Sequence, residues 1–200
     1  MGGFQKTTRG GITLELKTDP EDFQNVIITI SGLPGSGTTT ATELLSEKTK
    51  MDIISSGEVF RRMAKERDKT LQEFSDLAEK DEKIDKELDQ RMVNLAEEGK
   101  ILEGRLTGHL LNDSEKSAFK IWLEAPSEVR VNRIAEREGD HNNLKERVMK
   151  REKSEIKRYK QYYDIDLMDK SIYDLVIDSE KYSPEEIVTK ILEVLNDEIR

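Results

Sequence analysis

The chain of 200 residues contains no cysteine, which excludes disulfide scaffolds, thiolate metal sites and cysteine nucleophiles. Its two histidines, His109 and His141, are too few and too far apart for a zinc site. Basic residues are outnumbered, 33 Lys and Arg against 42 Asp and Glu, giving a formal charge of −9. A general positive footprint is therefore missing, and no nucleic-acid partner is expected. Long apolar runs are missing too. Val26–Ile30, interrupted by Thr29, has the length of a strand and not of a membrane span. Met1-Gly-Gly-Phe-Gln-Lys6 carries no apolar signal region, and Lys6 stands where a myristoylation signal needs Ser or Thr. A cytoplasmic protein with no membrane partner is the expectation.

With 34% hydrophobic and 38% charged residues, the chain is polar yet able to build one core. Its length suits one domain, not two. Residues 1–25 show glycine pairs, scattered charge and little periodicity, and read as an extension, disordered or in part appended to the natural chain. Ile12–Leu16 alternates well enough for a short strand. The ordered body is expected over 26–200 as a single domain. Strands are expected at Val26–Ile30, Met51–Ile54, Ile101–Glu103, Phe119–Leu123 and Leu175–Ile177. Helical patterns fill Glu58–Arg67, Leu71–Glu79 behind an N-cap at Thr70, and Glu82–Glu98. Ile84, Leu88, Met92 and Leu95 share one face of the last of these. Further helices run from Pro126 to Glu138, from the Gly139–Asn143 break to Tyr163, and from Pro184 onward. This alternation predicts an α/β fold with a central parallel sheet of about five strands flanked by helices.

The strongest motif is Gly32-Leu-Pro-Gly-Ser-Gly-Thr-Thr39. It matches a phosphate-binding loop at every fixed position but one, where Thr38 replaces lysine. Glycines at 32, 35 and 37 let backbone N–H groups converge on an anion, and the following helix start adds partial positive charge. Thr39 stands where a hydroxyl ligates Mg²⁺ in such loops. What is lost is an ammonium group, so positive charge must come from elsewhere.

Six arginines lie between 130 and 158. Arg130, Arg133 and Arg137 share a stripe of ~60° on one helix; Arg147, Arg151 and Arg158 fall within ~40° on the next, with Glu155 on the same side. Alone, such a run reads as a solvated face paired with Glu138, Glu146, Glu152 and Glu155. Beside a phosphate loop lacking its lysine, it reads as a source of guanidinium for phosphoryl oxygens. Ser55-Ser-Gly-Glu-Val-Phe-Arg-Arg62 and Glu103-Gly-Arg105 follow strands at the sheet edge where open α/β sheets bind ligands. Together they describe an acceptor pocket next to a donor pocket. Trp122 reads as core packing, and His109 as a loop histidine without special duty.

These residues, with Lys150-Arg-Glu-Lys-Ser-Glu-Ile-Lys-Arg-Tyr159 and Ser171-Ile-Tyr-Asp-Leu-Val-Ile-Asp178, are recognisable in combination. From Val26 to about Leu195 the chain resembles the nucleoside monophosphate kinases, and is most similar to the archaeal-type cytidylate kinase family. The resemblance implies a P-loop kinase fold with a helical monophosphate-binding insertion near 55–98 and a lid near 139–158. It implies transfer of the γ-phosphoryl group of ATP to CMP or dCMP, giving ADP and CDP or dCDP. Gly32, Leu33, Pro34, Gly35, Ser36, Gly37, Thr38, Thr39 and Thr40 would cradle the ATP phosphates. Ser56, Gly57, Arg61, Arg105 and Glu155 would bind the monophosphate, with Arg61 on its 5′-phosphate and Arg105 near its base. Arg133, Arg137, Arg151 and Arg158 would serve catalysis. Mg²⁺ would bind Thr39 directly and Glu103 through water, and 179–183 would lie near adenine. Free nucleotides are the expected partners, with the chain a monomer or weak homodimer. Two alternatives share the motifs, an adenylate or uridylate kinase and a non-catalytic nucleotide-binding module. A GTP-binding switch would need N-K-x-D and D-x-x-G segments, and the chain has neither.

Overall fold

A computed structural model describes residues 20–139 and 143–199. The expected strand at Ile12–Leu16, and the part of the Gly139–Asn143 break that includes His141, lie outside these residues. Strands β1 (Ile27–Gly32), β2 (Asp52–Ser55), β3 (Lys100–Glu103), β4 (Phe119–Glu124) and β5 (Leu175–Asp178) form one parallel sheet in the order β2-β3-β1-β4-β5. β1 lies at its centre, and all six of its residues are buried, the usual state of a strand covered on both faces. Ile28 sits opposite Ile101 of β3 and Phe119 of β4, which fixes the register of the three inner strands.

Helices α1 (Thr38–Thr49) and α8 (Pro184–Ile199) cover one face of the sheet. Their Leu45, Ile187, Ile191 and Leu195 pack on Ile28, Ile30, Ile101, Ile121 and Leu123. The other face meets α2 (Ser56–Glu66), α3 (Leu71–Ala78) and α4 (Glu82–Leu95) through Val59, Met63, Phe74 and Met92 against Ile27 and Leu102. Successive strand residues thus serve opposite layers, as the pleat requires. The N-terminus of α3 carries the expected cap, a reciprocal capping box between Thr70 and Glu73. Helices α6 (Ser127–Glu138) and α7 (Leu144–Tyr163) pack together through Ile134, Ala135 and Leu144.

The structure departs from expectation in several places. A 3₁₀ helix at Pro20–Asn25 sends Phe23 into the main core, so packing begins before Val26. α4 stops at Leu95, three residues short of the expected Glu98, because Ala96 is already extended. Helix α5 (Thr107–Asn112) was not foreseen; it is too short for hydrophobic periodicity to show. It makes His109 a helical residue, 6% exposed and edge-on to Tyr173 at 5.8 Å, not a loop histidine. Burial lowers the His109 pKa below its ordinary value. Trp122 is buried, as expected, against Leu106, Leu167 and Tyr173.

Candidate active site

The loop between β1 and α1 turns twice through left-handed glycines, with φ of 83° at Gly35 and 92° at Gly37. A side chain at Gly35 would also strike the backbone carbonyl of Arg130. Gly37 is the N-cap of α1 and offers no side chain to its amides. The first N–H groups of α1, from Thr38 to Thr40, are therefore left for an anion at the positive end of the helix.

Helix α6 braces this loop from behind. Arg130, 4% exposed, donates to the Pro34 carbonyl at 3.0 Å and the Ala125 carbonyl at 3.1 Å. Its two terminal nitrogens grip both carboxylate oxygens of Glu152 on α7. One turn on, Arg133 donates to the Gly35 carbonyl at 3.3 Å, the Ser179 hydroxyl at 2.9 Å and the Ser179 carbonyl at 2.8 Å. Its guanidinium stands 4.0 Å from where a Gly37 Cβ would lie. Of the four arginines expected to serve catalysis, Arg133 is the one that bonds the loop's own backbone among the described residues. Arg137 instead lies on the surface, 66% exposed and paired with Glu138. The single stripe expected of Arg130, Arg133 and Arg137 thus splits into a buried brace, a loop contact and a solvated pair, because α6 is covered unevenly by the loop and α7.

Across the mouth of the loop stands Glu103, at the carboxyl end of β3. Its Oε1 accepts from Thr38 at 2.9 Å and from Thr39 at 3.5 Å, and its Oε2 accepts from Ser55 at 2.8 Å. Hydroxyls and a carboxylate form a hard oxygen set, which suits Mg²⁺ bound by few protein oxygens with water and phosphate completing its shell. No cluster of three or more His, Asp or Glu side chains fit to hold a metal by themselves occurs among the described residues.

The acceptor-side residues follow in a chain of contacts. Gly104 lets the turn after β3 sit directly against Ser56, whose Cβ lies 2.8 Å from where a Gly104 Cβ would be. Arg61 reaches back over Gly57, and both are exposed. Arg105 pairs with Glu155 at 2.5 Å, and Arg151 donates to the same carboxylate at 3.0 Å. Burial works against the Arg105 charge, but Glu155 and Tyr159 beside it hold its pKa above the ordinary value. Glu155 is 5% exposed while Arg151 is open to solvent. Arg158 points to Asp85 of α4, at 3.3 Å, and not toward the loop. Sequence reasoning missed Asp85, Asp89, Tyr159 and Tyr163, which surround these groups. The available signal was two aspartates at i and i+4 beside the apolar face of α4. Glu152 was expected as a partner on a solvated face; its burial against Arg130 depends on two helices meeting.

The sheet order, the glycine loop entering α1 and the opposing acid define a P-loop kinase fold. Shikimate kinase from Acinetobacter baumannii superposes with a TM-score of 0.62 over 90% of this chain and 98% of that one, at 13% identity, which supports the fold alone. The model of the cytidylate kinase-like family matches residues 27–181, and the chain belongs to that family. Proteins named cytidylate kinase from Methanococcoides burtonii and Methanosarcina barkeri are similar. They are 51% identical over 160 residues and 49% identical over 176 residues, covering 78% and 86% of this chain and 89% and 97% of theirs.

Proposed function

We propose that the protein transfers the γ-phosphoryl group of ATP to CMP or dCMP, with Mg²⁺ as cofactor. Family membership supports the reaction class, and the observation that carries the reading is the juxtaposition of two half-sites. An open-amide loop faces Glu103, and the Ser56–Arg61 and Arg105–Glu155 groups follow directly beside it.

Phosphoryl transfer needs alignment and charge neutralisation more than covalent help. The loop amides and the α1 terminus take the donor phosphates, and Arg133, bonded to the Gly35 carbonyl and beside Gly37, supplies guanidinium charge in place of the missing lysine. Thr38 does not reproduce that lysine; its hydroxyl donates to Glu103 and helps hold the carboxylate across the loop mouth. Thr39 and Glu103 would hold Mg²⁺, the first directly and the second through water, and the ion would neutralise negative charge on the β- and γ-phosphates. Arg61 binds the acceptor phosphate, which is already anionic at neutral pH and needs no general base. Arg151, exposed at the rim and tethered to Glu155, closes over the transferring group and excludes water. Arg137, also exposed, joins it in this closure. The test is steady-state turnover with Mg·ATP and a panel of CMP, dCMP, UMP and AMP, read as ADP release. Highest kcat/KM is expected with CMP or dCMP. A higher value with UMP or AMP, or ADP release at the same rate without acceptor, overturns the reading.

A further inference from the structure

The outer face of α7 carries charge of one sign. The helix has eight Lys and Arg against three Glu, a net +5 in a chain of −9. Two of those acids, Glu152 and Glu155, are buried on arginines, which leaves Glu146 as its one exposed acid. Lys150, Lys153, Lys157 and Lys160 recur at i, i+3, i+7 and i+10 on one side, and all are exposed. Asp164 neutralises Lys160 at 2.6 Å, whereas the side chains of Lys150, Lys153 and Lys157 make no ion pair or hydrogen bond among the described residues.

A solvated helix face looks different elsewhere in this molecule. On α4, Lys86 pairs with Glu82, and Arg91 pairs with Glu87 and with Glu66 of α2. That lacing of opposite signs is the usual pattern of an exposed helix. On α7 the spacing instead sets like charges at i, i+3 and i, i+4, where each pair weakens the helix slightly. The face therefore holds a positive potential on an otherwise acidic molecule.

Its place gives that potential a use. From the inner side of α7, Glu152 grips Arg130, which holds the Pro34 carbonyl of the phosphate loop. Glu155 holds Arg105, two residues past Glu103. The lysines thus stand about one helix width, ~10–12 Å, from the residues that ring the loop mouth. A nucleotide arrives there with about two net negative charges, and a chain of −9 repels it at long range.

We propose that the lysine row of α7 steers anionic nucleotides to the mouth of the phosphate loop, raising their rate of association without contacting them once bound. The inference rests on the proposed function for its ligand class, phosphorylated nucleotides, and not for the identity of the base. At ~10–12 Å each lysine raises encounter with a doubly charged ligand by ~2-fold at ~0.01 M ionic strength, where the Debye length is ~30 Å. At ~0.15 M that length is ~8 Å and most of the attraction is screened.

The experiment mixes wild type and the triple variant Lys150→Gln/Lys153→Gln/Lys157→Gln with fluorescent N-methylanthraniloyl-ATP and Mg²⁺ in a stopped-flow instrument, from ~0.01 to ~0.3 M salt. Steady-state turnover is measured on the same preparations. Glutamine matches lysine in helix propensity, so the helix is retained. The variant's association rate constant is expected to be ~8-fold lower at ~0.01 M and within ~2-fold of wild type at ~0.3 M, with dissociation rate and kcat unchanged. Glu146→Gln is expected to shift the other way, associating ~2-fold faster at ~0.01 M. Equal rates for wild type and the triple variant at low salt overturn the proposal. So does a loss that persists at high salt, or a fall in kcat, since either means contact with bound nucleotide. Where the triple variant fails to fold, Glu146→Gln decides, and a rate unchanged or lowered at low salt overturns the proposal. Salt-dependent association in a protein that shows no turnover on CMP or dCMP overturns the proposed function alone.

Discussion

Replacing Glu152 with leucine tests whether the phosphate loop is held in shape by a buried charge pair. Arg130 and Glu152 expose only 5% of their side chains each, and Arg130 also holds the Pro34 and Ala125 carbonyls. Removing the acid leaves a guanidinium buried with backbone partners alone. A break of this kind costs about 3–5 kcal/mol. For a domain of this size each kcal/mol lowers Tm by ~2–4 °C, so Glu152→Leu is expected to melt roughly 6–20 °C below wild type. The double variant Arg130→Met/Glu152→Leu removes both charges and is expected to recover most of that loss, since a buried pair gains little over well-packed apolar groups. It is not expected to recover turnover. The Pro34 tether is gone, and a loop displaced by ~1 Å can lose up to 10²-fold in rate. Circular-dichroism melts and ADP release on the same preparations measure both quantities. A single variant that melts within ~2 °C of wild type, or a double variant that melts below the single one, refutes the reasoning.

Glu103→Gln is expected to lower kcat by about 10- to 100-fold, partly restored at high Mg²⁺ concentration; activity that is unchanged at every Mg²⁺ level removes Glu103 from the metal site. Arg151→Ala is expected to lower kcat by about 10²–10³-fold with almost no change in Tm, because the side chain is 69% exposed and its ion pair is screened. A loss below threefold would falsify its catalytic role. Asp89 gives a pH signature with a definite sign. Its folded pKa of about 7 is raised above the ordinary 3.8 by burial, with Asp85 adding and Tyr163 opposing. The neutral form is thus favoured by folding, so its stabilisation is full below pH ~4 and is lost as pH rises through ~7. Urea melts from pH 4 to 8 should show that decline flattened in Asp89→Asn relative to wild type; identical slopes would count against it.

The central strand and its neighbours were legible from residue order, because an apolar run followed by Gly32–Thr39 allows few other local structures. Element ends were less so. α4 ends where Ala96 turns extended, and the six-residue α5 is set by contacts, with Gly108 lying against Tyr173 and donating to Ser31. The candidate site divides the same way. Thr38, Thr39 and Glu103 were readable from motif spacing, while their meeting at 2.9 and 3.5 Å depends on β1 and β3 being neighbours in the sheet.

By itself, the sequence determined the kind of molecule: no thiol chemistry, a net acidic chain, five strands alternating with helices, and an amide-lined loop without its lysine. Helical periodicity placed the arginines on stripes, but a stripe does not say what covers it. Tertiary structure alone sorted them, burying Arg130 on Glu152, setting Arg133 against Gly35, leaving Arg137 and Arg151 open, and turning Arg158 onto Asp85. The physical reason is that a charged side chain's role follows from its desolvation and its partner. Both are settled by which elements pack together across long sequence separations, not by the residue's position in its own helix.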